Sequence, residues 1–298
     1  MWVSSGSAVR VGLICNPAAG GGRARGRGER AAEELRRLGF VVDAFWSTGP
    51  MTAAHAATRM ALVNEALVVV GGDGTVNEVV NGLKGARVPV GIIPSGSVNV
   101  LSLELGLPHT VEKACAVIAA GRTRDIDVGI VNGRRFTLMV GVGFDALTVK
   151  NLNPASKRRY NEAAFVWTAL RKEVRQGGPD FVMKAGDRRF LANFAVAANT
   201  RYYGGRFGVA RKAQPDDGRL DVVAFRDRSL VGLVSFWFGA LVGWGGLHVS
   251  ATEARAQQVE FGLYGGCGPV WYQVDGELAG TLPARVSLEP AALTLYVP

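Results

Sequence analysis

Cysteine and histidine are scarce in this 298-residue sequence, with three of each. Cys15, Cys115 and Cys267 are odd in number and widely spaced, which excludes a disulfide framework or zinc-ligand spacing and makes a reducing cytoplasm the simplest home. His55, His109 and His248 stand isolated, so a histidine-built metal site is not expected, and Ser95 and Ser97 have no histidine partner for a hydrolytic triad. No G-x-x-x-x-G-K-[ST] run occurs, which excludes a conventional P-loop. The first ten residues carry no apolar targeting segment. Acidic residues are in the minority, 25 against 34 Lys plus Arg, giving a formal charge of +9. That excess suits a polyanionic partner, whether nucleotide, nucleic acid or anionic membrane, without choosing among them.

Glycine is plentiful, with 40 residues, and implies many tight turns. Hydrophobic residues at 48% and charged residues at 20% fit a packed globular chain. The length is close to where a single core stops growing, so two domains are expected.

The chain is organised around Val68-Val69-Val70-Gly71-Gly72-Asp73-Gly74-Thr75-Val76-Asn77-Glu78. An apolar strand runs into a glycine turn, and a helical pattern follows. Bare glycine amides and the positive end of a helix suit phosphate oxygens. Asp73, the only carboxylate of the turn, can hold Mg²⁺ directly or through water. A plain strand-to-helix connection is the bland alternative.

Up to about Asp125 the pattern alternates. Strands are expected at Val9–Asn16, Phe40–Trp46, Ala66–Val70 and Val88–Ile93. Helices are expected at Ala24–Leu38, Thr52–Met60, Gly74–Leu83, Asn99–Leu105 and Val111–Ala120. This predicts a parallel α/β sheet with its ligand at the carboxyl ends of the strands, where the loops Asn16–Gly22, Gly71–Thr75 and Pro94–Asn99 fall. Beyond Asp125 short strands dominate: Ile126–Asn132, Phe136–Gly141, Phe190–Ala198, Leu220–Phe225, Gln258–Phe261 and Arg285–Val297. They predict a mostly antiparallel sandwich, interrupted by helices at Arg159–Gln176 and after Arg228. The expected domains are 1–127 and 128–298. The uncharged stretch Leu230–Leu247 is long enough to cross a bilayer, but a late single span would cut the second domain, so a buried or surface-lying helix is expected.

Three further motifs carry candidate chemistry. Gly141-Val142-Gly143-Phe144-Asp145-Ala146 fits G-x-G-x-x-A but has no βα unit after it, so it does not make a dinucleotide site. Gln214-Pro215-Asp216-Asp217-Gly218-Arg219 is either a β-turn or a cation-holding loop. Val274-Asp275-Gly276-Glu277 is either a polar turn or a general base with a neighbour that orients it. The cluster Arg23, Arg25, Arg27 and Arg30 lacks interleaved aromatics, which argues against nucleic acid.

In register, these motifs resemble the diacylglycerol kinase catalytic-domain superfamily of lipid kinases. The resemblance is carried by Asn16-Pro17…Gly20-Gly21, Gly71–Glu78, Gly91-Ile92-Ile93-Pro94-Ser95-Gly96-Ser97-Val98-Asn99, Leu105–Pro108, Asp127-Val128-Gly129, Gly141-Val142-Gly143-Phe144-Asp145-Ala146, Tyr203-Gly204-Gly205, Asp217-Gly218 and Asp275-Gly276-Glu277. It implies a first domain like those of NAD kinase and phosphofructokinase, a β-rich second domain, and ATP in the cleft between them. The C-terminal segment can return to the first domain. ATP would contact Gly71, Gly72, Asp73, Gly74, Thr75, Val76, Asn77, Glu78, Ser97, Asn99, and Ser47 or Thr48. Asp73 and Asp127 would belong to the catalytic Mg²⁺ network, with Asp275 or Glu277 as base. Gln214, Asp217 and the carbonyl of Arg219 would hold a structural Mg²⁺. Val100 replaces an Asp common in diacylglycerol kinases, Ser97 a Thr, and Gln214 an acidic ligand.

The implied activity is ATP- and Mg²⁺-dependent phosphorylation of a neutral lipid such as diacylglycerol, at the cytoplasmic surface of an anionic membrane. Lys157, Arg158, Arg159, Arg171, Lys172 and Arg175 are candidate membrane contacts. An NAD kinase and a non-catalytic lipid- or nucleotide-binding relative stay open as alternatives, as does the choice between monomer and homodimer.

Overall fold

The computed structural model describes residues 8–143, 146–147, 180–205, 207–227, 235, 239, 251–265 and 268–298. They form two compact units, Met1–Val128 with Glu289–Pro298, and Gly129–Leu288.

The first unit alternates strand and helix: β1 (Arg10–Cys15), α1 (Ala24–Arg37), β2 (Val41–Trp46), α2 (Thr52–Met60), β3 (Ala66–Gly71), α3 (Asp73–Gly82), β4 (Val90–Pro94), α4 (Val100–Glu104) and α5 (Val111–Ala120). Strand β5 (Thr123–Val131) then leaves it. The parallel order is β2-β1-β3-β4. Strand β3 is buried along its whole length, as a central strand covered on both faces must be, and its run of valines suits that place. Helix α1 buries Ala24, Gly28, Ala31, Ala32 and Leu35, one stripe at helical spacing, and ends where Gly39 takes a left-handed φ of 92°. Leu13, Val68, Ile93 and Ile118 share the core, each large side chain contributing about 1.5–3 kcal/mol by burial. Helix α4 begins later than Asn99 because Asn99 sits in the left-handed region (φ 57°) as its N-cap.

The second unit is a β-sandwich. Its strands are β6 (Arg134–Phe136), β7 (Met139–Gly143), β8 (Phe181–Ala185), β9 (Arg188–Ala192), β10 (Phe194–Ala198), β11 (Tyr202–Tyr203), β12 (Phe207–Gly208), β13 (Leu220–Phe225), β14 (Ala251–Ala256), β15 (Gln258–Leu263), β16 (Trp271–Val274) and β17 (Glu277–Thr281). The first part of β18 (Ala284–Tyr296) completes it. One sheet runs β14-β13-β10-β7-β16-β17, and the other runs β18-β15-β8-β9, every pairing antiparallel. Val140, Val142, Ala197 and Val222 from one sheet share a core with Phe181, Met183, Phe261 and Val286 from the other. Phe181 and Phe261 meet edge to face at 6.1 Å.

Two stretches expected as single strands are divided. Phe136–Gly141 breaks at Thr137 and Leu138, whose amides turn to the carboxylate of Asp275. Phe190–Ala198 breaks at Asn193, where the chain passes from one sheet of the sandwich to the other.

The helix expected at Arg159–Gln176 lies outside the described residues, as does the apolar stretch Leu230–Leu247 apart from Ser235 and Gly239. So do Lys157, Arg158, Arg159, Arg171, Lys172, Arg175, Phe144, Asp145, His248 and Cys267. Among the described residues no helix is long and apolar enough to cross a membrane.

Candidate functional site

In the order β2-β1-β3-β4 the chain moves one way from β1 to β2 and the other way on reaching β3. The β1/β3 junction is therefore the topological switch point, beside which sheets of this kind bind their ligands. Three loops interlock there. The amide of Asn16 donates to Val70 O (3.0 Å), and its Nδ2 donates to Thr75 Oγ1 (3.2 Å). Gly20, at φ 60°, lies against the carbonyl of Ser95, where a Cβ would come within 2.2 Å of the oxygen. Gly72 and Gly96 pack backbone on backbone: a Cβ on Gly96 would stand 2.6 Å from the Gly72 Cα. Only glycine permits either approach. Arg27 Nε donates to Ser95 Oγ (3.0 Å), a tie that the arginine cluster did not advertise. Its neighbours are also engaged, Arg23 on Gly20 O and Arg30 on Glu112.

Asp73 stands at the first turn of α3 and reaches across to α4. Its Oδ2 accepts the Val100 amide (2.9 Å) and its Oδ1 the Leu101 amide (3.2 Å). Burial pushes the Asp73 carboxyl up, and these amides pull it back. Val100 is itself buried, so its backbone serves Asp73 although it brings no carboxylate. Asn99 closes the third loop on itself, accepting the Gly96 amide (2.8 Å) and donating to Gly96 O (3.0 Å). Thr75, Val76 and Asn77 are buried within α3, whereas Gly74 is part-exposed and Ser97 exposed. Ser47, at the end of β2, shares a 2.8 Å hydrogen bond with Thr52 Oγ1, and Thr48 is exposed. Asp127 is buried on β5 and accepts the Ala291 amide (2.9 Å).

In the second unit Asp275 and Gly276 are the two residues of a hairpin, with φ of 49° and 83° and Val274 opposite Glu277. Asp-Gly is the dipeptide that such a turn favours. The Asp275 carboxylate is fully engaged. Its Oδ1 accepts the amides of Leu138 (3.0 Å) and Met139 (2.9 Å), and its Oδ2 accepts the Thr137 amide (2.9 Å) and hydroxyl (3.3 Å). A carboxylate offers about four lone-pair sites, and all are taken. Glu277 is exposed and bonds through Oε2 to Arg134 at 2.6 Å. Arg134 follows a second two-residue hairpin, Asn132-Gly133.

Magnesium was expected at two places. At the glycine turn the donor chemistry fits. Glu78 Oε2 is buried without a hydrogen-bond partner among the described residues, an acceptor that a metal-bound water or a nucleotide hydroxyl would satisfy. At the acidic turn it does not fit. Asp217 Oδ1 accepts the Arg219 amide (3.0 Å), and Oδ2 pairs with Arg255. Arg255 also reaches Asp221 at 3.3 Å, while Gln214 is exposed. A guanidinium occupies the place of the cation. The partner is visible in the cross-strand register Asp221↔Arg255, which requires the fold to be known. Among the described residues no group of three or more His, Cys, Asp or Glu clusters to hold a metal.

Fold and turns define a protein with a parallel α/β unit, glycine-rich loops at the carboxyl ends of its strands, followed by a β-sandwich. Comparison with known proteins narrows this class. Residues 10–131 match the model of the diacylglycerol kinase catalytic domain, and residues 138–297 match the YegS C-terminal NAD kinase beta sandwich-like domain. A diacylglycerol kinase of Mycobacterium tuberculosis is 30% identical, with 97% of this chain and 95% of that protein covered. A "probable lipid kinase YegS-like" protein of Pseudomonas aeruginosa is 31% identical over 78% of this chain and 76% of its own. A solved diacylglycerol kinase structure from Bacillus anthracis superposes with a TM-score of 0.79 at 20% identity, covering 99% of both chains, and shares the fold. The chain belongs to the diacylglycerol kinase catalytic-domain family of lipid kinases.

Proposed function

We propose that this protein is a lipid kinase that transfers the γ-phosphoryl group of ATP to a hydroxyl of a neutral lipid such as diacylglycerol. The first unit acts as the nucleotide domain and the second as the lipid-substrate domain. The observation that carries the reading is the interlock of three glycine-rich loops at the β1/β3 switch point, with the half-buried Asp73 carboxylate at the start of α3 tying it to α4.

Phosphoryl transfer asks the protein mainly to position reactants and neutralise charge. In this reading the backbone of Gly71–Thr75, Ser97 and the Asn99 loop cradles the phosphates, Ser47 and Thr48 lie at the same strand edge, and Asn77 stands within α3. Asp73 holds the starts of α3 and α4 in fixed relation. Asp73 would hold, through water, a Mg²⁺ brought with the nucleotide, which supplies neutralisation of the phosphate charge. Glu277 takes the acceptor hydroxyl proton, because among the described residues its Oε1 has no hydrogen-bond partner, whereas every acceptor site of Asp275 is committed to the backbone and hydroxyl of Thr137–Met139. Asp275 is then the positioning residue of the turn.

The test is mass spectrometry of a total lipid extract incubated with the protein, ATP, Mg²⁺ and added NAD. The reading expects a phosphorylated neutral lipid. An extract left unchanged while ATP binds would favour a non-catalytic relative, and phosphorylated NAD would favour an NAD kinase.

A further inference from the structure

The turn that carries Glu277 is gripped by one short piece of chain. Arg134–Met139 runs from β6 through the break at Thr137 and Leu138 into β7. Its far end holds Asp275, whose carboxylate accepts the amides of Thr137, Leu138 and Met139 and the Thr137 hydroxyl. Its near end holds Glu277, where Arg134 Nη2 donates to Oε2 at 2.6 Å. A further hold comes from the turn's own strand: the buried Gln273 accepts the Gly276 amide through Oε1 (2.7 Å). The turn backbone and Asp275 are thus fixed without Arg134. The Glu277 side chain, long and exposed, is the part that depends on it.

Arg134 is itself held in place. It directly follows the Asn132-Gly133 hairpin, and Asn132 fastens that hairpin to its neighbours. Asn132 Oδ1 accepts the Arg285 amide (3.1 Å), and Nδ2 donates to Pro283 O (3.3 Å) and to the Tyr272 hydroxyl (3.4 Å). Tyr272 lies on β16, the strand that leads into the Asp275-Gly276 turn. The arginine and the glutamate therefore project from two hairpins that are tied together at a second point. Among the described residues the Arg134 side chain has no other hydrogen-bond or ion-pair partner, so its guanidinium serves Glu277 alone.

We propose that Arg134 is a positioning residue for the Glu277 base. Its charge-assisted hydrogen bond to Oε2 fixes the plane of the carboxylate and leaves Oε1 to meet the acceptor hydroxyl. In the transfer the acceptor O–H bond breaks, its oxygen bonds to the γ-phosphorus as the bond to ADP breaks, and the proton ends on Oε1. A guanidinium cannot accept that proton, so Arg134 acts only through the carboxylate that it orients. This inference rests on the reading of the protein as a lipid kinase with Glu277 as its base.

The test is a double-mutant cycle on kcat, with diacylglycerol in detergent micelles, ATP labelled in its γ-phosphate and Mg²⁺. Arg134→Met should lower kcat about 10–10²-fold, the scale of a misplaced reacting group. KM for ATP and for the lipid should not change, and the melting temperature should hold because the pair is exposed. Once Glu277→Gln has removed the base, Arg134→Met should cost nothing more, so the double variant should match Glu277→Gln. A slow Glu277→Gln beside an Arg134→Met at the unaltered rate would overturn the proposal and leave the kinase reading standing. So would an equal fractional loss from Arg134→Met in both backgrounds, or a raised KM at unchanged kcat. Glu277→Gln at the unaltered rate would remove the base and this inference with it, whereas an unaltered protein that phosphorylates no lipid would overturn the kinase reading itself.

Discussion

Asp275→Asn and Glu277→Gln separate an anchor from a base. Asn keeps one oxygen for two of the four donors that Asp275 serves and turns an NH₂ towards the others. Leaving a buried donor unsatisfied costs about 1–3 kcal/mol, so Asp275→Asn should destabilise by roughly 2–5 kcal/mol. For a unit of this size that is a drop of about 5–15 °C in melting temperature. Glu277 forms an exposed pair with Arg134, and its loss should cost under about 1 kcal/mol. It should nevertheless lower kcat about 10²–10⁴-fold if Glu277 takes the hydroxyl proton. Calorimetry and lipid-kinase turnover on both variants give the four numbers. A cool-melting Asp275→Asn with proportionate activity, beside a stable but inactive Glu277→Gln, is the expected pattern. Asp275→Asn melting with the unaltered protein while losing activity a hundredfold would refute the assignment and make Asp275 the base.

Gly96→Ala puts a Cβ 2.6 Å from the Gly72 Cα, backbone that can give way only by opening the turn. Nucleotide affinity should fall about tenfold or more in a fluorescent-ATP titration, and unchanged affinity would argue against these loops as the phosphate cradle. Arg255 supplies the cation at the acidic turn, so the melting temperature of the unaltered protein should not respond to EDTA or Mg²⁺, whereas Arg255→Met should melt lower and regain stability with Mg²⁺. Burial pushes the thiols of Cys15 and Cys115 up to about 12 from 9.0, with Glu29 and Glu34 respectively adding to the shift. Their folded values are raised, so the stability they bring is complete below pH 9.0 and is lost as pH rises towards 12; calorimetry across that window should show falling stability, and neither thiol should be alkylated at pH 8 before unfolding.

The α/β half was legible because its elements are local. The valine run before Gly71-Gly72-Asp73, the apolar stripe of α1 and the glycine stop at Gly39 each mark an element without reference to the rest of the chain. The sandwich was harder. Strands β14, β16 and β17 carry few unbroken apolar runs, and the break between β6 and β7 depends on a carboxylate more than a hundred residues away. Asp275-Gly276-Glu277 reads as two carboxylates in a line of text, but its hairpin places Asp275 on backbone amides and leaves Glu277 at the start of a strand. Asp73 has the same lesson. Its suitability for metal chemistry is visible in sequence, whereas its bonds to Val100 and Leu101 depend on the third loop folding back. Arg255 could not be matched to Asp217 without the strand register.

The central claim is phosphoryl transfer to lipid, tested most directly with ATP labelled in its γ-phosphate, Mg²⁺, and two acceptors offered together, diacylglycerol in vesicles and free NAD. The account predicts label in the lipid phase at the acceptor hydroxyl and none in NAD. Label in NAD, or bound ATP with no label transferred to either, would contradict it.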